Sequence, residues 1–469
     1  MKKNNLENFC GVLCDKKGTV DGFFQVNKHD VTIIPFGCDN YTVNKCKEDN
    51  SPWLYGISDD NRQVAICVGS EIKTSMATPL NLKAEHFKAS IILKSCSNDV
   101  VNISESGFYT IEFYGGIVDI LFNPAQMLDR DVTTGNVLKR NNDEYEQQYN
   151  VQVDGDVFSV RYSIDSRELF TWELGKVPDL RNNIHSVVYF NFEEKRQISD
   201  IFKYYHYAKC LFQFCSASAN VGFGIRLSIK DDMGRRSSFD VKMIEEYDDY
   251  AEGRLDIVHV ISLKHLGQNA ARLFTVLNEN KSKPYMQFLP ERNKNANRIL
   301  YTDINDLCIS LEGEYSKIKT DRSDDNKLHA KALANKLLNE IEKEACPEVV
   351  KKKARDIINT QLKSFLPSLK EKISWLYEQF EVYIKTIASP DEHVKIDIVK
   401  AYTLEEFKKK ISEFVAMRNK ASHGGFEYND GTEIYMHLEL LVYFCILNRA
   451  GYSGEESAQI LSWLFGYYF

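Results

Sequence analysis

The chain has 469 residues, 43% hydrophobic and 27% charged, the balance of a globular protein and not of a disordered, fibrous or membrane-embedded one. Its net charge of −8 is evenly shared, with 23 Lys+Arg against 27 Asp+Glu from residue 301 onward and 36 against 40 before it. Neither part is a basic nucleic-acid platform, so any hold on RNA is local, transient or shared between subunits.

The length implies two or three domains. The 11 cysteines are odd in number and scattered. No apolar leader or run of transmembrane length is visible, so reduced thiols in a cytoplasmic protein are expected, with no membrane partner. Cys10 and Cys14 with Cys38 and Cys46 can be drawn as a zinc site, but the spacing is irregular and no second tight pair exists. No metal and no cofactor are therefore expected.

Residues 1–300 read as β-rich. Phe108–Tyr114 and Ile117–Phe122 flank Gly115-Gly116, a two-residue hairpin signal. Tyr145–Val153 and Asp156–Ile164 flank Asp154-Gly155 in the same way. Val187–Phe192 reads as a buried strand, and Phe223, Ile225, Leu227 and Ile229 alternate as in a half-solvated one. Many antiparallel strands over this length predict a sandwich- or barrel-like domain. Trp53 and Trp172 are candidates for stacking on a ligand there, with core packing as the plainer reading. One helix interrupts the pattern near 197–215, where Ile198, Ile201, Tyr205, Ala208, Phe212 and Cys215 share a face. Its aromatic residues fit packing on a sheet.

Residues 301–469 read as helical, so the fold class is α+β. A first helix covers Asp303–Ser316, followed by a polar loop or insert over Lys317–Asn326. A second runs over Lys327–Ala345, a basic third starts near Val349, and Pro367 starts or kinks the next. Thr403 and Glu406 form an S/T-x-x-E capping box that starts another helix near Leu404. Phe407, Ile411 and Phe414 then recur on one face, and the next position in that series is Arg418. Gly424-Gly425 gives a stop. A helix over Glu433–Asn448 carries the stripe Ile434, Leu438, Leu441, Val442, Cys445 and Ile446, and a short helix from Ser453 to Trp463 follows.

A guanidinium on a buried stripe needs a partner: a carboxylate, a facing subunit or a phosphate. Four residues after Arg418-Asn419 stands His423. Histidine titrates near neutral pH and can deprotonate a ribose 2′-hydroxyl. Arginine presents a permanently charged fork of donors that fits phosphate. Together they suit metal-independent cleavage of RNA to a 2′,3′-cyclic phosphate and a 5′-hydroxyl. The same residues admit a structural reading, in which Arg418 pairs with a core glutamate and His423 caps a helix.

Arg418, Asn419 and His423 also match, without a gap, the HEPN-domain signature of Arg, a polar residue, three or four spacers and His. The segment Leu307-Cys308-Ile309-Ser310-Leu311-Glu312-Gly313-Glu314-Tyr315 is similar to the opening helix of the ApeA-like HEPN branch, where a Leu-Glu pair recurs. The resemblance implies an antiviral, abortive-infection ribonuclease that cuts tRNA or mRNA, acts as a homodimer through its helical domain, and is controlled by a β-rich domain receiving a phage-derived trigger. It makes Arg418 and His423 catalytic, has Asn419 orient His423 or a phosphate, and gives Glu312, or alternatively Glu314, a supporting acidic role. The competing reading is a non-catalytic HEPN module that dimerises or binds a nucleotide beside a ligand-sensing β-domain.

Overall fold

A computed structural model describes residues 6–14, 18–36, 40–77, 82–97, 107–124, 128–130, 137–139, 147–165, 185–219, 221–230, 234–243, 260–284, 286–289, 301–319, 325–362, 367–388, 402–421 and 432–465. The chain forms two compact units, Met1–Asn280 with Glu291–Lys294, and Lys281–Pro290 with Asn295–Phe469. The first is built on β-strands and the second is helical, an α+β architecture.

The first unit opens with β1 (Asn8–Cys14), β2 (Val20–Asn27) and β3 (Asp30–Pro35). Helix α1 (Tyr41–Glu48), β4 (Trp53–Ser58), β5 (Gln63–Val68), β6 (Lys73–Ala77) and the long β7 (Leu82–Ser95) follow. The strands run antiparallel in the order β7-β3-β2-β1-β4-β5, and β5 pairs back onto β7 with Ile66 opposite Ile92. The ring therefore closes into a six-stranded barrel, which leaves no unpaired edge between its strands. Alternate residues fill its interior, among them Phe24, Val26, Val31, Ile33, Val64 and Ile66. Trp53 is buried, so it presents no face to a ligand, and Trp172 lies outside the described residues.

Beyond the barrel, β7 continues into a second sheet. Its other strands are β8 (Gly107–Tyr114), β11 (Gln148–Val153), β12 (Asp156–Asp165), β13 (His185–Arg196), β14 (Gly224–Lys230) and β15 (Arg236–Met243). They follow the order β11-β12-β13-β8-β14-β15-β7, while β9 (Leu128–Arg130) and β10 (Val137–Lys139) pair separately. The Asp154-Gly155 hairpin forms as expected, both residues having the positive φ that a tight primed turn needs. The Gly115-Gly116 hairpin does not form: Ile117–Leu121 is a short helix, α2. Both edges of β8 are already occupied at Tyr114, by Val187 of β13 and Gly224 of β14, so a returning strand has nowhere to pair. Helix α3 (Ile201–Ser216) buries Tyr204, Tyr207, Phe212 and Phe214. Tyr204 meets Phe108, Phe158 and Phe192 of the sheet, confirming the packing role of its aromatics. A further helix, α4 (Ala270–Asn278), adds Phe274 against Phe158 and Phe190.

The second unit contains α5 (Tyr301–Ile318), α6 (Asp325–Lys343), α7 (Glu348–Ile357), α8 (Leu369–Ala388), α9 (Leu404–Ala421), α10 (Thr432–Arg449) and α11 (Gly454–Phe465). Helical structure extends into the expected loop from both sides, as α5 runs through Ile318 and α6 starts at Asp325. Helices α5, α8, α9, α10 and α11 pack together. The apolar stripe expected of α10 is in fact a full sleeve: Leu440 through Leu447 are all at most 1% exposed, because the helix sits among α5, α8 and α11. Helices α6 and α7 pack chiefly on each other and on a π-turn at Ile358–Leu362, leaving Leu333, Val349 and Ile357 exposed.

Candidate functional site

The site is built on the end of α9, and its start is fixed locally. Thr403 N–H and Oγ1–H both donate to Glu406 Oε2 at 2.9 Å, and Glu406 N–H returns to Thr403 Oγ1 at 3.3 Å, closing the expected capping box. Leu404 N–H donates to Glu381 Oε1 of α8 at 3.1 Å, which ties the two helices. Phe407, Ile411 and Phe414 are buried, and Phe407 stacks on Tyr377 of α8 with centroids 3.6 Å apart. One turn beyond Phe414 that buried stripe reaches the bundle rim, so Arg418 is half-buried, not enclosed. Its neighbour Asn419 is exposed, and Arg418 Nη1 donates to Asn419 Oδ1 at 3.4 Å.

Arg418 faces α5. The buried Cys308 thiol on α5 is pushed up to about 12, first by burial; the Arg418 guanidinium opposes that rise and Glu312 adds to it. Arg418 and Glu312 are thus both within electrostatic reach of Cys308. Glu312, one helical turn after Cys308, is half-exposed and pairs with Lys372 of α8 at 2.5 Å. Glu312 of α5 is thus joined to Lys372 of α8, while Arg418 stands half-buried near the end of α9.

Glu314 does something else. Positions i and i+2 of a helix point roughly 200° apart, so Glu312 and Glu314 cannot share a face. Glu314 is fully buried and meets Arg449 of α10 in a two-pronged pair, Nε to Oε2 at 2.6 Å and Nη2 to Oε1 at 3.0 Å. Lys317 Nζ lies 3.3 Å from Glu314 Oε1. Arg449 and Lys317 also donate to the Ser282 carbonyl, at 2.8 and 3.1 Å. This cluster clamps α5, α10 and the Lys281–Pro290 segment together.

His423 lies outside the described residues. The sequence reading gave no role to Lys372 and Arg449, which meet the motif segments only through tertiary packing, or to Cys308, which lies inside one of them. It also missed a second polar patch. Glu439 on α10 is pushed up to about 7, mainly by burial and next by Asp303. Burial likewise raises Asp306, and Tyr435, hydrogen-bonded to the Phe288 carbonyl, is raised by burial and by these three acids. Among the described residues no group of three or more His, Cys, Asp or Glu is arranged to hold a metal ion, and no helix is long and apolar enough to cross a membrane.

The profile of the Apea-like HEPN family matches residues 309–456. The matched span contains Glu312, Glu314, Arg418, Asn419, His423 and Arg449. No curated protein and no solved structure matches the chain.

Proposed function

We propose that this Apea-like HEPN-domain protein is an endoribonuclease whose active centre is assembled on the rim formed by α5, α8 and α9. HEPN domains are typically ribonucleases, commonly bind RNA and commonly dimerise, so an enzymatic role on RNA is the coarse expectation. The observation that carries the finer reading is the placement of Arg418-Asn419 at the half-open end of α9 inside the matched segment. An arginine at that rim can meet solvent-borne phosphate, whereas one locked in the core cannot.

In this reading His423 takes the proton from the ribose 2′-hydroxyl, and the oxygen attacks the adjacent phosphorus. Arg418 holds the non-bridging oxygens as charge builds on them. The bond to the 5′-oxygen breaks, leaving a 2′,3′-cyclic phosphate and a 5′-hydroxyl once that oxygen is protonated. Asn419, hydrogen-bonded to Arg418, orients the fork or a phosphate oxygen. Glu312 is the supporting acid, acting with Lys372 to set the charge around the rim. Glu314 is assigned to the clamp with Arg449 and not to chemistry. The mechanism uses no metal, and the defence role in cutting tRNA or mRNA upon a phage-derived trigger belongs to the same reading.

One histidine must serve as both acid and base unless a second copy supplies the other group, so the active form is a homodimer through the helical unit. End-group analysis of RNA cut by the purified protein in EDTA tests the chemistry. Products carrying cyclic phosphate and 5′-hydroxyl ends are expected; 5′-phosphate ends, or activity that returns only with a divalent ion, would contradict it. Mixed dimers with one His423→Ala copy are expected to fall below half activity, and a fully active monomer would refute the shared site.

A further inference from the structure

A cleft of about 610 Å³ opens on the second sheet of the first unit, within the size range of small-molecule sites. It lies across β8, β14, β15 and the end of β7, and its floor can be read from strand register. Thr110, Ser228 and Ser238 are direct cross-strand partners, and Cys96 N–H donates to the Ser238 carbonyl at 2.7 Å. Small hydroxyl side chains therefore lie side by side in central strands, which both makes room and supplies donors. Two residues further along each strand, Lys230 stands opposite Arg236 on the same face. Like charges directly opposite one another destabilise a sheet. The row on the other side of the hydroxyls differs in this respect. There Arg226 faces both Glu112 and Asp240, its Nε donating to Asp240 at 2.9 Å, and Lys94 pairs with Asp60 at 3.1 Å. Among the described residues Lys230 and Arg236 have no acidic partner, and the Ser228 and Ser238 hydroxyls have no hydrogen-bond partner. Tyr109 completes one wall.

We propose that this cleft binds a small phosphate-bearing ligand of mononucleotide size. Lys230 and Arg236 hold the phosphate, the Ser228 and Ser238 hydroxyls donate to its oxygens, and the Tyr109 ring flanks the organic part. An anion relieves the repulsion between the facing cations and uses donors that the fold has already set in a row. A neutral sugar or an apolar peptide accounts for neither feature. The inference stands apart from the ribonuclease reading and holds or fails without it.

Titration calorimetry on the full chain decides the matter, with the four nucleoside monophosphates, inorganic phosphate and adenosine as probes. At least one monophosphate is expected to bind saturably and more tightly than inorganic phosphate, with adenosine silent. Lys230→Ala and Arg236→Ala are each expected to weaken binding roughly 10- to 100-fold, the worth of one charge-assisted hydrogen bond. Ser228→Ala supplies a neutral variant with a smaller expected loss. Both cations lie at the rim, so unchanged melting temperatures of the free variants check that folding is intact. Absence of saturable binding at millimolar concentration, binding no tighter than that of inorganic phosphate, or equal affinity in the folded variants would each overturn the proposal.

Discussion

Replacing Glu314 by Gln keeps the shape of the side chain and removes its charge. Arg449 then faces a neutral amide that can accept one of its two prongs, and Lys317 loses the carboxylate that stands 3.3 Å from its Nζ. Both cations keep the Ser282 carbonyl as acceptor, which softens the loss. Removing one member of a buried ion pair costs about 3–5 kcal/mol, and the retained carbonyl places Glu314→Gln toward the lower end, about 3 kcal/mol. For a unit of this size that is a fall of roughly 6–12 °C in its melting temperature. Arg449→Met is expected to cost about as much, since it strands the carboxylate beside Lys317 alone. The pair Glu314→Leu with Arg449→Met removes both charges together and is expected to recover a large part of the sum, a coupling of about 1–3 kcal/mol. Calorimetry of the full chain reads the two units' transitions, and hydrogen exchange over 301–318 and 432–449 assigns the affected one. If Glu314→Gln moves the transition by less than about 1 kcal/mol, or if the two losses simply add, the clamp is not what holds α5 to α10.

Two further outcomes are expected. Arg418→Lys keeps charge but not the planar fork, and the half-exposed position tolerates it, so cleavage is expected to fall roughly 100-fold or more with melting temperature unchanged; substantial activity would reduce Arg418 to charge balance. Glu439 holds its proton to about pH 7, so between the ordinary carboxylate range and that value the folded chain binds more protons than the unfolded one. Stability contributed there falls as pH rises through that window, and Glu439→Gln is expected to be neutral near pH 5 yet stabilising by roughly 1–3 kcal/mol near pH 8. A variant with the same stability difference at both pH values would show that burial of this carboxyl has no such cost.

What could be read in the sequence was what is local. The capping box of Thr403 and Glu406, the spacing of Phe407, Ile411 and Phe414, and the Asp154-Gly155 turn each depend on residues a few positions apart, and each forms. The Gly115-Gly116 signal is equally local but is overruled, because β13 and β14, distant in sequence, occupy both edges of β8. Closure of the barrel rests on Ile66 meeting Ile92, and no periodicity announces it. At the site, the position of Arg418 on its helix followed from counting, whereas the division of labour between Glu312 and Glu314 did not. Two acids in one short string look equivalent until helix geometry sends one to Lys372 and the other to Arg449, 135 residues away.

The central claim is that His423 is the base of a ribonuclease centre whose phosphate-holding arginine is Arg418. The most direct measurement is the single-turnover rate of RNA cleavage by His423→Ala beside the wild-type protein, with hydrogen exchange confirming that α9 and α10 are intact. The expected result is a loss of roughly 10²–10⁴-fold, the range for removing a general base, in a variant that stays folded. Cleavage at the wild-type rate by folded His423→Ala would contradict the account.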